Sequence, residues 1–450
     1  MERVVRISEP DSEVLSRAIA EVSSPPPADG CQRRDKSDLV NQIFVEIVRG
    51  RPSPELDTAW DDLLIRADTP NVFMQPRIIR AATPDRQVVT LLAWRQDGRH
   101  RQLAGFWAFS IAKPHLSILP VVALCAPAAT EHAYLSAPVI DRDCLDATLR
   151  AMLEAIAEAS DLPRIVALES MSGSGTTYEA LLRVLGERRS QSCRLEAKNR
   201  PLLVPGDGAS DYMESALSSS SRKKLRQHRR RLREMGPLET VVARSVPDVQ
   251  RGFEAFLTLE QNGWKGQNGT ALLSEPDQAN FGRTMVTALA QAGGASIYAL
   301  ELDGRPISVQ VVLRAGHAAY TWKTAYDERL GDYSPGMLLF EDYSRALLAD
   351  PTIAFADSCA FDDTGYMAAW KERKLVIDLW FDTRRGQSIS FTAITRAQKT
   401  YLPLREMAKK VYQRLPILQA ARNAAKAASS SPVRNGKQAS SKAAQAARAI

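Results

Sequence analysis

Residues 317–342, HAAYTWKTAYDERLGDYSPGMLLFED, decide how the rest of the chain is read. His317–Thr324 alternates as a half-buried strand does, with Tyr320 and Trp322 on one face and Thr321 and Lys323 on the other. Then Arg329, Gly331, Ser334, Pro335 and Gly336 fall within eight positions, and Met337, Leu338, Leu339, Tyr343 and Leu347 recur at helical spacing. Pro335 suits a first helical turn, where its missing N–H costs little, while Gly331 and Gly336 leave backbone bare for a ligand. A strand, a glycine-bearing loop and a helix N-terminus bring free N–H groups and the positive dipole end together, as anion binding requires. Ser-Pro-Gly is also an ordinary helix cap, so the local pattern alone leaves both readings open.

The flanks narrow the choice. Upstream, the patterns predict a strand at 238–244, helices at 248–262 and 276–292, and strands at 295–302 and 306–314. Downstream they predict a strand at 352–357, a helix at 366–373 and a strand at 374–381. Four phrases occur in one order: SSSSRKKLRQHRRRLREMG, FLTLEQNGWKGQNGTAL, YTWKTAYDERLGDYSPGMLL and FADSCAFDDTGYMAAWKERK. On these phrases the C-terminal half resembles the GNAT-superfamily acetyltransferases of the CelD type, which are associated with bacterial cellulose and exopolysaccharide synthesis. The β, α, α, β, β, β, α, β, α, β order is similar to theirs. The N-terminal half, with its phrase NVFMQP and Trp60, resembles the first half of the same family. The resemblance implies an α/β (α+β) protein with two tandem GNAT-like mixed-sheet domains, as in Fem-type proteins.

The chain has 450 residues, of which 44% are hydrophobic, enough for sizeable cores in two or three domains. The opening MERVVRISEPDSEV carries charges where a signal peptide needs an apolar block, and Leu116–Ala129 is broken by Pro120 and Pro127 and is too short to span a bilayer. Five cysteines without a close pair argue against a disulfide framework or a zinc site and fit a reducing cytoplasm. The expected location is therefore cytoplasmic. From Met407 to Ile450 there are nine Lys or Arg and no acidic residue; removing these from the 59 basic residues leaves 50 against 52 acidic ones. The body is thus nearly neutral, and the excess charge sits in a tail too poor in large apolar groups to build a core. That tail reads as a solvated segment or as a weak electrostatic contact to another polyanion or to anionic membrane at its inner face.

The expected organisation is a flexible leader at 1–40, a GNAT-like domain at 41–205, a basic linking helix at 206–236, a GNAT acyltransferase domain at 237–405, and the basic Ala/Ser/Lys-rich tail at 406–450. In the first half the patterns predict helices at Leu56–Arg66, Leu145–Ala157 and Tyr178–Leu185, and strands at Val88–Trp94, Gly105–Ile111, Arg164–Leu168 and Cys193–Ala197. Between the halves, eight of the twelve residues Arg222–Arg233 are Arg or Lys; Ser218–Ser221 can cap this helix and Gly236 can end it. Leu217, Leu225, Leu232 and Met235 predict its buried stripe. Its outer face is either a solvated surface or a grip, through Arg222, Lys223 and Arg226, for phosphate or sugar-acid groups on a substrate or for tRNA.

The resemblance places the chemistry in the second half, where a coenzyme A thioester would lie between two splayed parallel strands, 317–324 and 352–357. It implies acetyl-CoA or another acyl-CoA as co-substrate, held by Arg329, Gly331, Ser334, Pro335 and Gly336. The acceptor would be a small molecule or polysaccharide precursor offering an amine or hydroxyl. Glu260, Asp327 and Asp357 are candidate proton acceptors, with Asp357 favoured by its place at a strand end, and Tyr326 is a candidate donor to sulfur. Trp264 with Lys265 and Trp322 with Lys323 pair an aromatic with a cation, either as core packing or as a sugar or pantetheine platform. His317 reads as structural. The turn departs from the usual GNAT phosphate loop, since Arg329 is followed by Gly331 and only later by Gly336. A Fem-type transferase using aminoacyl-tRNA and a non-catalytic polyanion-binding protein therefore stay open. Nucleic acid enters only as tRNA under that alternative. The sequence shows no nucleophilic triad, metal-ligand cluster or Walker loop, which argues against hydrolase and NTPase readings.

Overall fold

In the computed structural model, described over residues 43–97, 100–130, 132–206, 211–360 and 363–414, the alternating segments of both halves pair into a single thirteen-stranded mixed sheet. The first half contributes β1 (Ile43–Arg49), α1 (Leu56–Arg66), α2 (Pro76–Arg80), β2 (Val88–Asp97), β3 (His100–Ala112), β4 (Ala123–Ala126) and β5 (Val139–Ile140). It continues through α3 (Leu145–Glu158), β6 (Ile165–Ser172), α4 (Thr176–Glu187) and β7 (Ser192–Leu203). After α5 (Tyr212–Ala216) and the basic helix α6 (Ser219–Met235) come β8 (Leu238–Ala243), α7 (Val246–Asn262), the short α8 (Trp264–Gln267) and α9 (Pro276–Gln291). The chain then forms β9 (Ala295–Leu302), β10 (Arg305–Ala315), β11 (Ala318–Tyr326), α10 (Pro335–Leu348), β12 (Phe355–Asp357), β13 (Glu372–Asp382) and α11 (Ile389–Arg414).

The strand order β1-β2-β3-β4-β6-β13-β7-β12-β11-β10-β9-β8, with β5 beside β3, contains a repeat. In each half four antiparallel strands are followed by a fifth in parallel: β6 beside β4, and β12 beside β11. The centre is exchanged. β13, from the second half, pairs with β6, while β7, from the first, pairs with β12, and the two exchanged strands pair with each other from Glu372↔Leu202 to Phe381↔Ser192. The mixed α/β class and the two mixed-sheet halves expected from the sequence are both present, fused by this exchange.

Two elements differ from expectation in an instructive way. The strand expected at 352–357 begins only at Phe355, because Asp350 holds Thr352 and Ile353 in a turn. The helix expected at 366–373 is a single 3-10 turn, Gly365–Ala369, and Glu372 and Arg373 belong to β13, where they pair with Leu202 and Pro201. A long-range ladder here overrides local helical spacing. On α6 the buried residues are Leu225, His228 and Leu232; Leu217 precedes the helix and Met235 is exposed.

The core that positions the site crosses the halves. Phe73 of NVFMQP meets Tyr320 edge to face with ring centroids 6.1 Å apart, and the Tyr320 hydroxyl donates to Pro70 O at 2.7 Å. Asn71 donates from Nδ2 to Ala137 O and Leu135 O while its Oδ1 accepts from Phe73 N, tying the loop that follows β4 to the NVFMQP segment. Burying such aromatic side chains stabilises by about 1.5–3 kcal/mol each, so this seam is a substantial bond between halves. Among the described residues, no helix is long and apolar enough to cross a membrane, and Cys125, Cys144, Cys193 and Cys359 are free and buried. The leader at 1–40 and the tail beyond Arg414 lie outside the described residues.

Candidate functional site

Strands β11 and β12 are matched only at Ala318↔Phe355, Ala319↔Ala356 and Tyr320↔Asp357. Beyond Tyr320, β11 runs on to Tyr326 while β12 ends, so the sheet opens into a fork. Just past the parting, β11 carries one extra residue: Val311 faces Lys323 and Val312 faces Thr321, leaving Trp322 out of register. Such a bulge bends its strand and re-aims the flanking side chains.

Two cavities open on this fork. The first, about 390 Å³, is walled by Glu260, Trp264 and Lys265 on one side and by Tyr326, Gly331, Ser334 and Gly336 on the other. The second, about 370 Å³, includes Trp322, Lys323, Ser358 and Cys359, with His132 and Tyr134 arriving from the first half. Lys265, Thr324 and Tyr366 belong to both walls, so the cavities adjoin.

The turn at 327–336 is built by local bonds. Asp327 accepts from Arg329 N at 3.0 Å and caps the 3-10 segment Glu328–Tyr333. Ser334 adopts a left-handed backbone, φ 51°, and Pro335 starts α10 at its first position. The left-handed residue is therefore a serine, while Gly336 lies outside that region. A Cβ added at Gly336 would meet the Tyr326 ring at 3.5 Å, an ordinary contact, and one added at Gly331 would meet open space. Glu328 ties this turn to the opposite wall by accepting from Trp264 N at 2.7 Å. That wall needs its own glycine: a Cβ at Gly266 would fall 1.8 Å from Gln261 O.

Of the expected cofactor residues, Gly331, Ser334 and Gly336 line the first cavity and Pro335 opens the helix behind them. Arg329 does not join them. Its side chain is 90% exposed and grips Asp327 through Nε and Nη2, since its own neighbour is the nearest carboxylate. That bond, against the opposing effect of burial, holds Asp327 below the usual carboxylate range, which disfavours it as a proton acceptor, and Arg329 is not among the residues that line the first cavity.

The candidate acids and bases separate in the same way. Asp357 is fully buried and accepts from Lys374 Nζ at 3.0 Å, from Cys359 N at 2.9 Å and from Arg200 Nη1 at 3.5 Å. Burial alone raises its pKa, but Lys374 and Arg200 outweigh it and the net shift is downward. An ionised, fully partnered carboxylate is a poor proton acceptor, so the expectation of Asp357 as the base gives way to a structural role. Glu260 is buried at the first cavity, accepting from Lys265 Nζ and Leu272 N, both at 2.8 Å. Tyr326 stands on the cavity rim, 40% exposed.

Trp264 is 55% exposed at the mouth, free to cover a ligand. Trp322 is buried instead, stacked on Phe253 at 6.2 Å and donating from Nε1 to His132 O at 2.7 Å. Lys323 Nζ lies 3.1 Å from His132 Nδ1. Burial, with help from Lys323 and Lys265, pushes the His132 pKa down to about 3, so this imidazole is neutral. Arg222, Lys223 and Arg226 line neither cavity, although α6 packs beside the turn through His228 and Tyr333.

Comparison with known proteins bears on this region directly. Residues 219–362 match the family model described as Acetyltransferase (GNAT) domain. That span includes β8–β12, the 327–336 turn and most of the two cavity walls, so the fork lies within the region that this model matches. Among solved structures, FemX is similar at 11% identity and TM-score 0.49, over 75% of this chain and 96% of its own. A conserved protein of unknown function from Bacteroides thetaiotaomicron is similar at 15% identity and TM-score 0.45, over 75% and 99%. A tandem GNAT protein from the clavulanic acid biosynthesis pathway is similar at 15% identity and TM-score 0.40, over 76% and 99%. At these values the three lend this chain no residue and no activity. No curated protein matches the sequence.

His132, Tyr134 and Tyr366 were missed as site residues. Tyr366 stood within the matched phrase FADSCAFDDTGYMAAWKERK, and burial raises its pKa, keeping the phenol protonated. His132 and Tyr134 lie nearly two hundred positions from Lys323, and no local pattern marks them.

Proposed function

We propose that the chain is an acyl-CoA-dependent transferase that acylates an amine or hydroxyl of a sugar or other small acceptor. The observation that carries this reading is the fork itself, a 390 Å³ cavity bounded by the helix N-terminus at Ser334–Gly336 and adjoined by a second cavity behind a shared wall. The pyrophosphate of coenzyme A suits the turn, where bare backbone and the helix dipole favour negative charge. The pantetheine arm would follow the parted edge of β11 towards Thr324, bringing the thioester to the wall shared by Lys265, Thr324 and Tyr366. The acceptor would occupy the second cavity and attack the acyl carbonyl. As the tetrahedral adduct collapses, the acyl–sulfur bond breaks, and the protonated Tyr366 can hydrogen-bond the departing sulfur. Glu260, which unlike Asp357 lines the first cavity, can take the acceptor's proton through water that reaches it there.

The narrower role in exopolysaccharide or cellulose synthesis is supported by the sequence phrases quoted above. Thermal melts with acetyl-CoA, longer acyl-CoAs and tRNA test the donor, because a ligand that binds only the native state raises the melting temperature. A rise with acyl-CoA is expected. A rise with tRNA alone would favour the Fem-like reading, and no rise with any of them the non-catalytic one.

A further inference from the structure

We propose that the outer face of α6 docks the protein on a bilayer surface rich in anionic lipid. The helix, Ser219–Met235, carries eight Lys or Arg and one Glu. Arg229 is matched by Asp342 at 2.7 Å and Arg230 by Glu234 at 3.4 Å. Among the described residues the other six, Arg222, Lys223, Lys224, Arg226, Arg231 and Arg233, have no acidic partner. Exposed arginines elsewhere are treated differently: Arg49, Arg101, Arg150, Arg183 and Arg283 each reach an Asp or Glu at 2.5–2.7 Å.

Leaving these charges unpaired works against the helix. Arg222 and Arg226 lie one turn apart, as do Lys223 and Arg226, and like charges at that spacing repel. Packing does not account for them either, because the buried side chains of α6 are Leu225, His228 and Leu232 on the opposite face. An external anion offsets the repulsion. Clusters of about four to eight Lys or Arg on an amphipathic helix are attracted to the negative potential of an anionic bilayer.

The shape favours a plane over a nucleic-acid strand. One face of α6 rests on β8, β9 and the 328–333 turn, and none of the six cations lines the cavities of either fork, so the helix stands as a ridge. Single-stranded nucleic acid is held in grooves with stacking aromatics, and α6 has no Phe, Trp or Tyr. From Arg222 to Arg233 the ridge runs about 16 Å, enough to meet several headgroups at once. The charge of the remaining chain orients the contact. Residues 1–406 hold 50 Lys or Arg and 52 Asp or Glu, and taking away the eight and the one of α6 leaves 42 and 51. An anionic plane therefore repels the body and attracts this helix. His228 meets Tyr333 edge to face with ring centroids 6.4 Å apart, and Glu328 and Gly331 of the same turn line the first cavity. Docking through α6 thus sets that cavity beside the headgroups, whatever reaction the fork performs.

The test is sedimentation of the full chain with phosphatidylcholine vesicles, with and without about a third of phosphatidylglycerol. Wild type is expected to partition about tenfold or more strongly onto the anionic vesicles and to leave them as salt rises from about 0.05 to 0.5 M. Lys223→Gln, Arg226→Gln, Arg231→Gln and Arg233→Gln combined should remove that preference. Because the tail is basic as well, a second full-length variant, with Arg422, Lys426, Arg434, Lys437 and Lys442 changed to Gln, serves as comparison and should keep most of it. Melting curves confirm that the α6 variant is folded. Equal partition of wild type onto both vesicles, or an anionic preference that survives in the folded α6 variant, overturns the proposal. Binding of tRNA through the same four charges, with anionic vesicles ignored, overturns it too and names a nucleic acid as the partner.

Discussion

At Ala126 and Leu168 in the first half, and at Tyr320 and Asp357 in the second, a parallel strand pair separates after three matched residues. Two positions beyond each parting stands a left-handed residue, Ser170 at φ 54° at a bulge within β6 and Cys359 at φ 52° just after β12. The backbone builds the same fork twice. In the first half it is covered: Gln398 of α11 donates to Leu116 O and accepts from Ile118 N, and Leu402 and Trp380 help to close a cavity of about 180 Å³ around Glu169 and Asp378. In the second half a glycine-bearing turn and a helix N-terminus stand at the opening, with cavities of about 390 and 370 Å³. The loop after β4 does not guard its own fork; it sends His132 and Tyr134 to the other. A splayed strand pair therefore makes room, and what covers it decides whether that room becomes a site.

The largest effect should come from Asp357→Asn, which leaves Arg200 and Lys374 buried without their carboxylate. Breaking a buried pair in this way costs about 3–5 kcal/mol, read as a lower midpoint in urea unfolding. A variant with full stability but no turnover would restore Asp357 as the base and break the assignment made here.

The covered fork has its own signature in pH. Burial, with the Asp378 carboxylate adding to it, pushes the Glu169 pKa up to about 7, above its unfolded value. The folded state then holds a proton that the unfolded state releases, so stability falls as pH rises from the ordinary carboxylate range through about 7. One such proton sets a slope of at most about 1.4 kcal/mol for each step of one in pH. Glu169→Gln should flatten this slope in melts between about pH 5 and 8; an unchanged slope would show that other groups carry it.

How much of this was legible in advance follows from the range over which each residue finds its partners. The turn from Asp327 to Gly336 is made by neighbours, and its strand, cap and helix start could be read from spacing alone. Arg329 misled for a local reason too, since Asp327 two positions away captures it. Asp357 misled for a distant one: its partners lie on the exchanged strands β7 and β13, and no period in the sequence announces an exchange. His132 is harder still, because a lone histidine in a loop gains meaning only when Lys323 meets it.

Two smaller effects sharpen the contrast. Tyr366→Phe should lower kcat by about tenfold to a hundredfold with little change in the melt, if the phenol assists the departing sulfur. An unchanged kcat would reduce Tyr366 to a wall. Replacing Arg222, Lys223 and Arg226 by Gln should shift stability within about 0.5 kcal/mol and leave acetyl-CoA affinity nearly unaltered at physiological salt. A marked loss that grows as salt is lowered would extend the site onto α6.

The central claim, that the open fork and not the covered one holds acyl-CoA, is tested most directly by acetyl-CoA calorimetry on two folded variants, Gly336→Asp and Glu169→Gln. Because Gly336 lies outside the left-handed region and its Cβ would make only an ordinary contact, the aspartate is expected to fold. Its charge would oppose the helix dipole's attraction for phosphate by about 0.3–1 kcal/mol, to which its bulk in the ligand's place adds. Loss of binding in Gly336→Asp with unchanged binding in Glu169→Gln is the predicted result; wild-type affinity in folded Gly336→Asp would contradict the account.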